Sequence, residues 1–282
     1  MKGQAISSDH AVIHYTAFGV GAPVLIINGG PGMNSKGFEG LAREIAAMGF
    51  TAIIYDQRGT GDSKLDILDS TTITTKLMAD DIEAIRQKQG YQQWAVLGHS
   101  YGGMLASFYA TQHPNQLSHL ILSSSGGIDL DLLSYIGTSI PHRLSEAQRA
   151  AVLQCDSAIA AGDTTRQTAY RRATALAAAY VVNPKFIPVI AERLLQGNPL
   201  VNALIWQDMQ RIGFDCEEGL GRYRGPVLII QGKDDIILPK TAYKSKAALP
   251  QAKVIFVEAS SHYGWLDQSQ TYLGELRRFL SR

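Results

Sequence analysis

The chain is 282 residues long, 45% hydrophobic and 18% charged, with 26 Lys and Arg against 25 Asp and Glu for a formal net charge of +1. That length and apolar content suffice for one large core or a core with an insertion, and the even charge implies no nucleic-acid or anionic-membrane partner. No stretch has the run of uncharged apolar residues that a membrane span needs, and Met1 to His10 has no apolar signal region, so a cytoplasmic protein is expected.

In chain order, Ile13, Tyr15 and Ala17 alternate with His14, Thr16 and Phe18, the period of a strand in an antiparallel edge hairpin. Val24 to Ile27 and Ala52 to Tyr55 are continuous apolar runs, as strands buried on both faces require. Between them Phe38, Leu41, Ile45 and Met48 share one face of a helix opened by Asn34 or Ser35. The first run ends in Asn28-Gly29-Gly30-Pro31-Gly32, where side chains are almost absent and the backbone can approach a ligand closely. Asp56 to Ser63, followed by Lys64, contains a Gly-x-Gly-x-x-Lys spacing but lacks the Gly-Lys-Ser/Thr ending of a phosphate loop and starts no helical pattern. It reads as a turn-rich loop braced by Asp56 and Arg58. Met78, Ile82 and Ile85 mark the helix after it.

Trp94 to Leu97 is a short buried strand that runs into Gly98-His99-Ser100-Tyr101-Gly102, after which Met104, Leu105, Phe108 and Tyr109 follow at helical spacing until His113-Pro114. A serine on so sharp a strand-to-helix turn adopts a strained backbone, tolerated when the residues two before and two after it lack side chains. Gly98 and Gly102 supply that room. The helix beginning at Tyr101 aims free N–H groups and the positive end of its dipole at the Ser100 oxygen, where charge would build up during attack on a carbonyl. Leu120 to Leu122 is the next strand, and strands alternating with helices in this way make a mostly parallel sheet covered on both faces.

From 127 to 220 the buried-strand runs stop and alanine-rich helical sequence takes over, as in Ala147 to Ala161 and Tyr170 to Val182. This is the pattern of an inserted helical lid, divided into several helices by Pro141, Pro184, Pro188 and Pro199. With ten acidic and eight basic side chains the segment offers no strong field for a charged substrate. Its aromatics, Tyr135, Tyr170, Tyr180, Phe186, Trp206 and Phe214, pack helices together, some of them facing a pocket. Cys155 and Cys216, far apart in the chain, either pair or, as their helical setting favours, stay buried free thiols, and no metal-ligand spacing links the two cysteines and seven histidines.

Strands resume at Val227 to Ile230 and Val254 to Val257, and reacting groups in open parallel sheets gather beyond the carboxyl ends of strands. After the first comes Asp234-Asp235 and after the second His262, the only histidine C-terminal to those aspartates. The order Ser, Asp, His assigns His262 as the base for Ser100, with one of the two adjacent aspartates fixing its tautomer. The oxyanion donors are the N–H of Tyr101 and one from the glycine loop, Gly30 with Gly29 behind it. His99 reads as packing against, or hydrogen-bonding to, the sheet. Leu273, Leu276 and Leu280 line a C-terminal helix.

Taken together these stretches resemble the α/β-hydrolase superfamily, and within it the proline iminopeptidase-like serine peptidases. Asn28 to Gly32 is similar to that family's His-Gly-Gly-Pro-Gly, Asp56 to Ser63 to its Asp-Gln-Arg-Gly-x-Gly-x-Ser, and Gly98 to Gly103 to its nucleophile elbow. The likeness covers about 10–126 and 221–282. It implies an α/β-hydrolase fold, with a mostly parallel central sheet, helices on both faces, a core of 1–126 and 221–282 and a helical lid of 127–220. The family's Gly-x-x-Asp-x-x-x-Pro falls on Gly232, Asp235 and Pro239, favouring Asp235 over Asp234 as the acid, and the likeness also supports Gly30 and Tyr101 as donors.

Two positions depart from the family. Asn28 stands where histidine is usual, which changes loop hydrogen bonding but leaves the backbone donor. Such aminopeptidases hold the substrate ammonium with glutamates of the lid or beside the triad acid, yet Asp235 is followed by Ile236, and Glu146, Glu192, Glu217 and Glu218 match nothing and read as solvated surface. The expected activity is that of a serine hydrolase working through an acyl-enzyme, without metal or cofactor. By resemblance it releases an N-terminal proline or small residue from a short peptide or small molecule. The alternatives are a carboxylesterase for small acyl esters and, more remotely, a non-catalytic ligand-binding protein.

Overall fold

The apolar runs become strands because a sheet covered by helices on both sides buries nearly every side chain along them, except in the last run, at the sheet edge, where Val254, Ile255 and Phe256 are only half-buried. The computed structural model describes residues 1–281. Its strands are β1 (Lys2–Ile6), β2 (Val12–Phe18), β3 (Ala22–Ile27), β4 (Phe50–Tyr55), β5 (Trp94–His99), β6 (Leu117–Ser123), β7 (Val227–Gly232) and β8 (Lys253–Val257). They form one sheet in the order β1-β2-β4-β3-β5-β6-β7-β8. Only the β1/β2 and β2/β4 pairs are antiparallel. The rest of the sheet is parallel, and β5 lies between β3 and β6.

Helices α1 (Glu39–Ala47), α2 (Thr75–Lys88) and α3 (Tyr101–Gln112) connect the first parallel strands. Between β6 and β7 come α4 (Ile136–His142), α5 (Glu146–Ala160), α6 (Arg166–Ala177), α7 (Ile187–Leu194), α8 (Pro199–Arg211) and α9 (Glu217–Leu220). The chain ends with α10 (Pro239–Ala248), α11 (Gly264–Asp267) and α12 (Ser269–Leu280). Side-chain alternation divides the core in two. Val24 and Ile26 of β3 pack with Phe38, Leu41 and Ile45 at α1 and with Leu276 and Phe279 of α12. Leu25 and Ile27 face the other way, toward Met78 and Ile82 of α2 and Met104 and Leu105 of α3.

Local differences from the sequence reading have physical causes. β1 is the partner strand of the expected edge hairpin, whose position the sequence did not give, held outermost by pairing with β2 although Ala5 is its one buried residue. Pro141 lies inside α4, one residue before its end, rather than between helices. α6 stops at Ala177, so 178–182 crosses to the site as a non-helical segment. Met48 caps α1 from outside. The two cysteines are free and buried.

The Asp56–Ser63 loop is tied down by charge. Asp56 accepts the Ser35 N–H and hydroxyl at 2.8 Å each, and the Asp62 N–H on its other oxygen. The guanidinium of Arg58, fully buried, forks onto both oxygens of Asp81 at 2.8 and 2.6 Å and reaches Asp9 at 2.8 Å. This planar two-point pairing is what arginine offers and lysine does not.

Candidate active site

Ser100 sits between β5 and α3 with φ 57° and ψ −124°, a left-handed conformation that costs a serine about 1–3 kcal/mol. Its own backbone holds it there: the N–H donates to Ser123 O, and its carbonyl accepts from Gly103 and Gly126. The flanking glycines are steric necessities. A Cβ on Gly98 would lie 2.2 Å from Gly102 O, and one on Gly102 would lie 2.1 Å from Ile27 O. Tyr101 opens α3, so its N–H sits in the first turn, where no intrahelical acceptor exists.

β7 and β8 end side by side and bring Asp235 and His262 together. His262 Nδ1 lies 2.8 Å from Asp235 Oδ1, and that oxygen also accepts the Ile237 N–H at 3.0 Å. Both side chains are almost wholly buried, whereas Asp234 is exposed and its N–H is bound to Ser260 O. Asp235 is thus the aspartate that meets the imidazole. Oδ2 of Asp235 has no partner among the described residues.

Ser100 and His262 line one cavity of about 220 Å³, together with Gly29, Gly30 and Tyr101. Among the described residues the Ser100 hydroxyl makes no hydrogen bond to the imidazole, a looseness common before substrate binds. The remaining walls are uncharged and largely apolar: Leu132, Leu133, Ile136 and Ile140 on one side, Leu194 and Trp206 on another, Ile236 and Ile237 beside the aspartate, with His99, Tyr180 and Tyr263 completing them. No Asp, Glu, Lys or Arg side chain among the described residues lines it. Glu146, Glu192, Glu217 and Glu218 are all exposed, and Glu192 pairs with Arg166 at 2.9 Å. No group of three or more His, Cys, Asp and Glu side chains among the described residues is placed to hold a metal ion.

His99 packs its ring 4.6 Å from that of His262 and 4.8 Å from that of Trp265, with Nδ1 3.4 Å from Ser123 Oγ on the neighbouring strand. Burial first, and then His262, push its pKa well below the ordinary histidine value, so it stays neutral beside the other imidazole. The sheet contact agrees with the sequence reading. The approach to His262 was not foreseen.

Residues that the sequence left unassigned complete the surroundings. Of the aromatics between β6 and β7, Tyr180 and Trp206 line the cavity. Tyr135 instead bonds Thr241, and Phe214 packs on Phe108. The 179–183 segment is stitched to the His262 loop: Tyr180 O accepts the His262 N–H, Ala179 O accepts the Ser261 hydroxyl, and Asp267 receives the Val182, Asn183 and Ser261 N–H groups. At the glycine loop, Asn28 Nδ2 donates to Gly29 O and Met33 O, both at 2.9 Å.

A family profile described as alpha/beta hydrolase fold matches residues 22–268. A proline iminopeptidase of Lactobacillus delbrueckii subsp. bulgaricus is 27% identical over 263 residues, covering 89% of this chain and 87% of that protein. Among solved structures, an esterase from Rhodococcus sp. ECU1013 superposes with a TM-score of 0.77 at 22% identity, over 99% of this chain and 98% of its own. A proline iminopeptidase of Mycobacterium smegmatis superposes with a TM-score of 0.75 at 23% identity, over 100% and 98%.

Proposed function

The chain belongs to the α/β-hydrolase fold family, it is a hydrolase, and on that footing we propose that it is a serine hydrolase acting on esters with a small, uncharged, apolar acyl group. The observation that carries this reading is one largely apolar cavity lined by both Ser100, at the head of α3, and His262, whose imidazole is paired with the buried Asp235. Ser100 Oγ attacks the carbonyl carbon while His262 Nε2 takes its proton, and Asp235 holds the imidazole through Nδ1. The N–H groups of Gly30 and Tyr101 receive the charge on the carbonyl oxygen. His262 then protonates the leaving alcohol, and a water activated by the same base releases the acyl group from Ser100.

The division into a core of 1–126 and 221–282 and a lid of 127–220 is part of this proposal. Helices α4 to α9 lie between β6 and β7, and their segment gives the cavity Leu132, Ile136, Tyr180, Leu194 and Trp206. A second reading, release of an N-terminal proline, is favoured by the names of the curated relatives. Against it stands the lack of any carboxylate on the cavity wall to meet a substrate ammonium, since burying an unpaired charge is costly. A nitrophenyl butyrate and a prolyl anilide, each tried on wild type and Ser100→Ala, test both. Butyrate turnover that vanishes in Ser100→Ala supports the esterase reading. Turnover unchanged in Ser100→Ala overturns the mechanism, and anilide turnover without ester turnover overturns the substrate class.

A further inference from the structure

Arg193 of α7 is a buried cation with no carboxylate in direct contact among the described residues. It is 2% exposed, and among the described residues no carboxylate lies within 4.0 Å of it, in contrast to Arg58 with its two aspartates. Its hydrogen bonds go to neutral acceptors instead: Nη2 donates to Gly29 O at 3.2 Å, and Nη1 donates to Asn34 O and to Gln196 Oε1. The guanidinium lies over the Phe38 ring, 5.2 Å from its centroid. The chain leaves a passage for it, because a Cβ on Gly37 would come 2.4 Å from Arg193 Cδ. A buried charge held only by neutral acceptors keeps part of its desolvation cost, so its place here calls for a reason beyond stability.

Gly29 O belongs to the same peptide unit as the Gly30 N–H. A trans peptide is planar, with its carbonyl and its N–H pointing in opposite directions. The residues on either side of this unit are both glycines, Gly30 at φ +146°, so no Cβ resists rotation of the peptide and a donor there is readily turned away. Two side chains fix the carbonyl end, Asn28 Nδ2 at 2.9 Å and Arg193 Nη2 at 3.2 Å. We propose that Arg193 is a positioning residue for the reaction at Ser100: by holding the Gly29 carbonyl it keeps the Gly30 N–H turned toward the developing oxyanion. The positive charge on that carbonyl also polarises the peptide and strengthens its N–H as a donor. The inference rests on the serine-hydrolase reading above.

The test compares wild type, Arg193→Met and Arg193→Lys in kcat and KM for nitrophenyl butyrate, and in affinity for a trifluoromethyl ketone bearing the same alkyl chain, which forms an oxyanion adduct with a serine. Removing an oxyanion donor outright costs about 100- to 1,000-fold in kcat, and loosening one is expected to cost roughly 10- to 100-fold. In Arg193→Met that loss falls on kcat with KM within about twofold, and ketone affinity falls in step with kcat/KM. Arg193→Lys lies between the two, since an ammonium keeps the charge but loses the planar fork. If the Met variant does not fold, the Lys variant carries the same test. Wild-type kcat, a loss confined to KM, or a fall in kcat with unchanged ketone affinity overturns the proposal. Failure of the underlying reading is distinct from all of these, because it shows either as turnover left intact in Ser100→Ala or as no butyrate turnover in wild type.

Discussion

An acyl group gains by growing in this site and loses by acquiring charge, and the two effects have calculable sizes. Lengthening the acyl group from acetyl to hexanoyl adds four methylenes, which at about 0.8 kcal/mol each come to about 3 kcal/mol, or roughly 200-fold in kcat/KM if all are buried. The cavity of about 220 Å³ beside Ser100 is finite, so the gain ends once the acyl chain fills it and further methylenes stay in water. An α-ammonium reverses the sign. Unpaired in an apolar cavity, it carries an effective penalty of several kcal/mol, so a prolyl or alanyl ester is expected to fall about 100-fold or more below the butyrate. Initial rates across nitrophenyl acetate to decanoate and the amino-acyl esters, with Ser100→Ala as background, give kcat/KM for each. A profile flat in chain length, or an amino-acyl ester matching the butyrate, refutes the apolar-pocket reasoning.

Other consequences are open to measurement. Asp235→Asn leaves the fold intact but favours the wrong imidazole tautomer, so kcat should fall by about 10⁴ while thermal unfolding changes little. Gly98→Ala forces a methyl into Gly102 O and should unfold earlier in denaturant, whereas Ser100→Gly, which relieves the left-handed backbone, should gain about 1 kcal/mol at the expense of activity. Arg58→Met leaves Asp81 buried without its partner and should cost about 3–5 kcal/mol in urea unfolding, more than a surface pair could. His99 has a folded pKa depressed below its unfolded value of 6.5. Its contribution is therefore fully present above pH 6.5 and is lost as pH falls toward the folded pKa, at up to about 1.4 kcal/mol per pH unit. The slope of stability against pH below 6.5 should be shallower by one proton in His99→Phe, and an unchanged slope would show that His99 does not stay neutral in the fold.

The sheet was legible because β3, β4, β5, β6 and β7 are buried on both faces, and such strands announce themselves as unbroken apolar runs. β1 has no such run. Lys2–Ile6 is a strand only because β2 offers it an edge to pair with, a non-local fact that no local pattern carries. At the site, the Ser100 turn was readable from Gly98 and Gly102, whose absent side chains are a local requirement. Composition did not show which of α4 to α8 would touch the cavity, because Tyr180 and Trp206 differ from Phe214 only in how their segments pack. Arg193 was hidden for the same reason. In the sequence it is one cation among eight in its segment, and its distinction is a carbonyl 164 residues away.

The seam between 179–183 and the His262 loop bears on how the cavity walls are held. Lifting that segment would pull on the His262 and Ser261 backbone, so the base and its neighbouring strand connection move as one piece. Arg193 fastens α7 to the glycine loop in the same way. On the opposite wall, residues 131–142 pack Leu132, Tyr135, Ile136 and Ile140 against the core and add the hydroxyls of Tyr135 and Ser139 and the surface pair Asp131–Lys244, while Leu133 is 37% exposed. The two walls are therefore tied differently: one through the backbone of the loop that carries the base, the other through side-chain packing and hydroxyls.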